Sequence, residues 1–301
     1  MFDIRQCNGE NAGYMAIGFF DSLHLGHRKV IERSVSLARK NGTVSSVFLF
    51  KNNIYELIGV QKTPLFSFEQ RVFEIEKLGV DKVFYLNADE SFLSLLPTEF
   101  IAFIRSKLQI DGVVCGSDFT FGRNGLGKAE DILKSFPNGE MVDLLCISQE
   151  KVSTSLLKEM LLQGDLRKAN EMLGRPFSIS KVVVEGRKDG GKNGFPTLNM
   201  PFSAGVLRSG VYLSETVING HSFKSLTNIG AHPTYNDDRE NAETYVLDYK
   251  GDLYGRLIEV RFLDRLRDIQ KFESAEALAE QIEKDVFIRR NYDPIRTFGD
   301  R

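Results

Sequence analysis

Along the first 150 residues, short and nearly continuous apolar runs alternate with stretches whose apolar positions recur at helical spacing. Residues 13–18 read as a strand buried on both faces, and 25–40 as a helix closed by Asn41-Gly42. The same alternation predicts strands at 44–50, 81–86 and 112–116. It predicts helices at 67–78, capped by Ser67, and at 97–108, where Pro97 suits an early helical position. Strands that alternate with helices imply an open parallel sheet covered on both faces, a doubly wound, Rossmann-like α/β domain.

After Ser153 the pattern changes. Two helices are expected at 155–163 and 166–173, joined at Gly164-Asp165. Beyond Gly174-Arg175-Pro176, strands are expected at 181–185, 210–218, 223–229, 243–249 and 257–263, with Asn219-Gly220 as a hairpin turn. Strands at this spacing without intervening helices suggest a small antiparallel barrel, and 275–289 reads as a terminal helix. The expected domains are 1–173 and 174–301.

Length agrees: 301 residues at about 150 per domain give two domains. A net charge of -2 provides no global field for nucleic acid or anionic membrane, so any phosphate binding must be local. Three scattered cysteines, Cys7, Cys115 and Cys146, do not make a disulfide framework and fit a reducing cytoplasm. The amino terminus does not read as a signal peptide, and no apolar run approaches the roughly 18 residues needed to span a bilayer. Composition leaves the oligomeric state open.

Chemistry concentrates in two segments. The first is Gly18-Phe19-Phe20-Asp21-Ser22-Leu23-His24-Leu25-Gly26-His27, where the first strand feeds the first helix. Ligands of open α/β sheets bind at this edge, and a helix amino terminus offers unpaired N–H groups to phosphate. Two imidazoles about one helical turn apart can donate hydrogen bonds to one phosphoryl group. Gly26 leaves room for a nucleotide to approach the backbone. A zinc-peptidase helix is excluded because the Glu of His-Glu-x-x-His is missing.

This segment resembles the His-x-Gly-His signature of the nucleotidyltransferase superfamily. Together with Val114-Cys115-Gly116-Ser117-Asp118-Phe119-Thr120-Phe121-Gly122-Arg123, it is similar to the adenylyltransferase module of bacterial bifunctional riboflavin kinase/FAD synthetases. The resemblance implies that His24 and His27 stabilise charge on the α-phosphate of ATP while an FMN phosphate attacks. Gly18, Phe20, Asp21, Gly26, Ser153, Thr154 and Lys158 are the candidate ATP- and phosphate-binding residues of this half. The chain departs from the family in three places. Ser22 stands where Gly is usual, Phe50-Lys51-Asn52-Asn53 replaces Phe-x-Pro-His-Pro, and Lys158 replaces an arginine after Ser153-Thr154-Ser155. Two near-matches to a P-loop, at 122–129 and 186–193, lack the Mg²⁺-binding hydroxyl and read as basic loops.

The second segment is Gly194-Phe195-Pro196-Thr197-Leu198-Asn199, after a Gly-rich loop. Thr197 and Asn199, two apart on extended backbone, point to one side, and their oxygens suit the Mg²⁺ carried by ATP. Gly-Phe-Pro-Thr-x-Asn resembles the hallmark of the riboflavin kinase domain, with further matches at Gly210-Val211-Tyr212, Thr227-Asn228-Ile229-Gly230 and Gly251-Asp252-Leu253-Tyr254-Gly255. The implied fold is a six-stranded antiparallel barrel with a terminal helix. Glu243 aligns with the family's catalytic glutamate. Asp248 is the rival carboxylate, five residues on and so expected on the opposite side of the strand. The family commonly has Gly-Arg before Gly-Phe-Pro-Thr, where this chain has Gly190-Gly191-Lys192-Asn193, so Lys192 is the candidate replacement for a phosphate-binding cation, and Gly194 and Pro196 complete the candidate ATP site. The flavin-binding residues are not readable.

The implied function is ATP-dependent phosphorylation of riboflavin to FMN by the C-terminal domain and adenylylation of FMN to FAD by the N-terminal one. One alternative is a monofunctional riboflavin kinase whose N-terminal domain binds nucleotide or regulates. A class I aminoacyl-tRNA synthetase relative shares the His turn, but neither a Lys-Met-Ser-Lys-Ser-like loop nor a basic tRNA-binding surface is evident.

Overall fold

The computed structural model describes residues 1–60, 62, 64–185, 195–202, 206–232 and 237–293, with backbone alone at 231–232 and 237–240. It divides into two compact units, Met1–Thr154 and Ser155–Arg301.

In the first unit, six parallel strands form one sheet: β1 (Phe2–Asp3), β2 (Glu10–Ile17), β3 (Ser45–Phe50), β4 (Lys82–Leu86), β5 (Leu108–Gly116) and β6 (Glu140–Val142). Their spatial order is β1-β4-β3-β2-β5-β6. Alternation along β2 sends Tyr14 and Ala16 into one core, with Val30 and Ile31 of helix α1 (Leu25–Lys40) and Val72 and Ile75 of α2 (Phe68–Glu76). Met15 and Ile17 enter the opposite core, with Phe100 and Ile104 of α3 (Pro97–Lys107) and Ile132 of α4 (Ala129–Ser135). Both faces are therefore covered, as the continuous apolar runs require. Ser67 caps α2 in a reciprocal capping box with Gln70, a device worth about 1 kcal/mol.

The chain runs outward from β2 through β3 to β4, then crosses to β5 on the other side of β2. That reversal makes the carboxyl end of β2 the switch point where doubly wound sheets open a crevice.

Thr154, the last residue of the first unit, opens helix α5 (Thr154–Gln163), and the second unit takes in the rest of it and α6 (Leu166–Leu173), which ends on Gly174 in the left-handed region (φ 67°). Asn170 of α6, fully buried, donates to the Phe262 carbonyl (2.9 Å) and accepts the Phe177 N–H (2.7 Å). Six antiparallel strands follow: β7 (Phe177–Val182), β8 (Thr197–Pro201), β9 (Gly210–Ile218), β10 (His221–His232), β11 (Asp237–Val246) and β12 (Leu257–Arg267). Their order is β7-β12-β9-β10-β11-β8, and the sheet curls until Val184, just past β7, donates its N–H to Asn199 of β8 at 2.9 Å. The terminal helix α7 (Ala275–Asn291) lies against the outside, where Val286 and Tyr292 pack on Val211, Leu213 and Leu226.

The inside is mixed: Phe177, Ile179, Tyr212, Val260 and Phe262 share it with a polar cluster. Ser214, Thr216, Ser225, Thr227 and Thr244, all fully buried, join in a hydroxyl network with O···O distances of 2.8–3.0 Å.

The strand expected at 181–185 instead begins at Phe177, directly after Pro176, because Phe177 and Ile179 alternate inward. The strands expected at 223–229 and 243–249 also shift, to His221–His232 and Asp237–Val246, because residues 225–232 pair with 237–246 while 221–224 pair back onto β9.

Candidate functional site

In the first unit the site grows out of the turn between β2 and α1. Phe20 (φ 45°) and Leu23 (φ 49°) both adopt left-handed backbone, yet each is only 1% exposed. Such conformations cost about 1–3 kcal/mol each and persist where the surroundings over-determine them. Here the Phe20 ring folds back over Gly18, where a Cβ would stand 2.9 Å from the ring. Asp21, also buried, accepts the Leu65 N–H at 2.6 Å.

His24 caps α1: its Nδ1 accepts the backbone N–H of His27 at 3.1 Å. An accepting Nδ1 carries no proton, so the imidazole N–H sits at Nε2. The two imidazoles stack with centroids 3.7 Å apart, and Phe20 meets the His27 ring edge-on at 5.4 Å. Burial, and secondarily His24, push the pKa of His27 well below the ordinary 6.5, so it is neutral near pH 7. A Cβ on Gly26 would press the His24 ring at 3.1 Å, so this glycine serves the histidine stack as well as leaving space.

The departures from the resembling family have structural counterparts. Asn52 exchanges two 2.8 Å hydrogen bonds with the backbone of Ala88, tying the end of β3 to the end of β4. Asn53 caps the single turn Ile54–Leu57, and Tyr55 from that turn meets Phe19 edge-on at 5.0 Å. Ser22, fully buried, has its Oγ 2.9 Å from Oγ1 of Thr154, the first residue of α5. Gly18, Phe20, Asp21, His24, Gly26 and His27 thus share one turn, with Thr154 joined to it through Ser22. Ser153 precedes Thr154. Lys158 lies four residues along α5, on the face Thr154 occupies, and belongs to the second unit.

Sequence reading missed Arg71. The residue is 2% exposed, and its guanidinium donates to the carbonyls of Phe50 (2.9 Å) and Phe19 (3.4 Å), spanning the ends of β2 and β3. Burial lowers its pKa, opposed by the charge of Asp21. On the sequence Arg71 is one cation in an amphipathic helix, with nothing to mark it as inward-facing.

In the second unit, strand register decides the geometry. Asn199 of β8 lies opposite Glu243 of β11, and Thr197 lies opposite Tyr245. Directly opposed residues leave the same face of a sheet, so Thr197, Asn199 and Glu243 share one face. Asn228 of β10 opposes Glu243 from its other side, which adds an amide the sequence quoted only as part of a matching block. The opposite face at this point carries Met200, Ala242 and Thr244, all completely buried. The face of Glu243 is therefore the outer one, the side on which α7 packs. Phe195 meets Tyr245 edge-on at 5.4 Å, seating the segment before β8, where Pro196 is exposed.

Asp248, the rival carboxylate, does not lie on β11 at all. It lies past the end of β11 with φ 58° and pairs with Arg290 through two bonds of 2.7 and 2.8 Å. Lys192, Gly194 and the near-match at 186–193 lie outside the described residues. The near-match at 122–129 folds as a two-stranded ribbon, with Asn124 at φ 54° and Lys128 Nζ donating to the Gly125 carbonyl at 3.1 Å.

Among the described residues no group of three or more His, Cys, Asp or Glu is arranged to hold a metal. The hydroxyl of Thr197, the amide of Asn199 and the carboxylate of Glu243 are nonetheless hard oxygen donors on one face. They fit a divalent cation that arrives with phosphate oxygens completing its shell.

Two family models match the chain, FAD synthetase over residues 7–156 and riboflavin kinase over residues 173–292. The bifunctional riboflavin kinase/FMN adenylyltransferase of Bacillus subtilis (strain 168) is 33% identical over 282 residues, covering 90% of this chain and 89% of the relative. The protein of that name from Escherichia coli (strain K12) is 31% identical over 290 residues, covering 92% of each. A crystal structure of a macrolide-efflux protein from Streptococcus pneumoniae superimposes with a TM-score of 0.87, covering 97% of this chain and 98% of that one. At 24% identity that likeness concerns the fold. No helix among the described residues is long and apolar enough to cross a membrane.

Proposed function

The chain belongs to the family of bifunctional riboflavin kinase/FMN adenylyltransferases, and from that premise we propose how its residues divide the work. It is an enzyme of FMN and FAD synthesis: residues 174–301 phosphorylate riboflavin with ATP, and residues 1–173 adenylylate the FMN. The observation that carries the kinase assignment is the register that sets Glu243 beside Asn199 and, two residues on, Thr197. Glu243 orients the terminal ribityl hydroxyl and accepts its proton as the oxygen bonds to the γ-phosphorus and ADP departs. Thr197 and Asn199 hold Mg²⁺ on the ATP phosphates, and that ion supplies charge neutralisation when bound. Lys192, Gly194 and Pro196 are the proposed contacts of the ATP phosphates.

In the first half, a phosphate oxygen of FMN attacks the α-phosphorus of ATP and pyrophosphate leaves, with no covalent enzyme intermediate. His24 and His27 give hydrogen bonds to the α-phosphoryl oxygens, and the backbone around Gly18, Phe20, Asp21 and Gly26 fixes the turn that aims them. Ser153 and Thr154 supply further phosphate donors. The FAD synthetase match over residues 7–156 favours two activities over a kinase whose N-terminal half only binds nucleotide. A cytoplasmic location suits the free cysteines and the supply of ATP.

The test is chromatography of products after the full chain is incubated with riboflavin, ATP and MgCl₂. FMN followed by FAD is expected. Absence of FMN overturns the kinase assignment, and FMN that never becomes FAD overturns the adenylyltransferase.

A further inference from the structure

Ser22 is the one residue of the His-bearing turn that departs in chemistry from the resembling family, and its hydroxyl is fully buried. A buried hydroxyl is costly unless it is hydrogen-bonded, and this one reaches Thr154, 132 residues away in sequence, at 2.9 Å. Thr154 keeps part of its surface, so the pair forms a buried hydroxyl backing a partly exposed one. Ser22 sits between the left-handed residues Phe20 and Leu23 and two residues before His24, so whatever holds it also fixes the entry to α1.

Resting on the reading that Thr154 contacts a phosphate, we propose that Ser22 is a positioning residue for FMN adenylylation. It sets the direction of the Thr154 hydroxyl and the spacing between that hydroxyl and the histidine stack. An anionic oxygen accepts only, so a phosphate on Thr154 turns the threonine proton toward itself, and Ser22 is then the donor to Thr154. Each hydroxyl polarises the next, which strengthens the bond to the anion. A glycine at this position offers no such donor, so the Ser22–Thr154 link is a feature of this chain rather than of the signature.

The experiment compares full-length wild type, Ser22→Ala, Thr154→Val and the double variant. FMN adenylylation is measured with FMN, ATP and MgCl₂, and riboflavin phosphorylation and thermal unfolding are followed on the same preparations. Ser22→Ala is expected to lose roughly 2- to 12-fold in adenylylation kcat/KM, the size of one hydrogen bond, with riboflavin phosphorylation unchanged. Thr154→Val should lose more, and the double variant no more than Thr154→Val alone, because the serine acts through the threonine. In a Thr154→Ser background the hydroxyl remains, and Ser22→Ala should again cost its full factor. Ser22→Gly should repeat the loss, guarding against misfolding peculiar to the alanine variant. An active wild type with unaltered Ser22→Ala, or losses that multiply in the double variant, overturns the inference alone. A wild type that makes no FAD from FMN overturns the adenylyltransferase reading and this inference with it.

Discussion

Asn199 and Glu243 stand directly opposite each other on adjacent antiparallel strands, so an amide and a carboxylate 44 residues apart in sequence leave one face of the barrel side by side. Thr197 extends the set by one step of the pleat. The inner face beside them is closed by Met200, Ala242 and Thr244, all completely buried, so on the proposed reading substrates reach this constellation from the outer face.

Asn199→Ala removes one of the two neutral oxygen ligands proposed for Mg²⁺. Riboflavin phosphorylation should fall by about 10²-fold, with the Mg²⁺ concentration for half-maximal rate rising, while FAD formation from supplied FMN is retained. A magnesium titration of the two activities in one preparation checks this, and chelation of the metal with EDTA should stop the kinase in the wild type.

Gly18→Ala places a methyl 2.9 Å from a Phe20 ring that is itself buried and held in left-handed backbone. The ring has nowhere to retreat, so overpacking of about 1–3 kcal/mol is expected. FAD formation should be impaired and riboflavin phosphorylation preserved, as read by the two product peaks.

His27 gives a pH dependence of stability. Its folded pKa lies well below the unfolded 6.5, so below that value the unfolded chain binds a proton that the folded one refuses. The first unit is therefore fully stabilised above about pH 6.5 and loses stability as pH falls beneath it. Thermal melting between about pH 5 and pH 8 should show this slope in the wild type and a flatter one in His27→Gln.

Arg71→Leu deletes the donors to the Phe19 and Phe50 carbonyls. Leaving these part-buried carbonyls without their donor costs up to about 1–3 kcal/mol, so denaturant midpoints for the first unit should drop and FAD formation should weaken. Arg71→Lys, which keeps a charge but not the fork, should recover only part of both.

Local signals in the sequence account for much of this fold. Helix α1 occupies the predicted 25–40, because its apolar spacing and the Asn41-Gly42 stop agree; the His24 cap emerges only in the structure. The Asn219-Gly220 hairpin forms with both residues at positive φ (51° and 80°), as a primed turn requires. What stayed hidden depends on distant partners. Strand β1 is only two residues long and exists because β4 lies beside it. β8 is short and ends on a proline, so it has little pattern of its own and is defined by pairing with β11. The Glu243–Asn199 register, the Ser22–Thr154 bond and the inward Arg71 all join segments far apart in sequence, where periodicity carries no information. The histidine turn and the Gly-Phe-Pro-Thr segment were legible as motifs, but not the side chains that hold them.

The central claim is that the Glu243 carboxylate accepts the proton of the riboflavin hydroxyl, and Glu243→Gln tests it most directly by keeping the shape and removing the base. Supplied with riboflavin, ATP and MgCl₂, this variant should yield no detectable FMN, yet supplied with FMN it should form FAD at the wild-type rate. FMN produced from riboflavin at the wild-type rate would contradict the account.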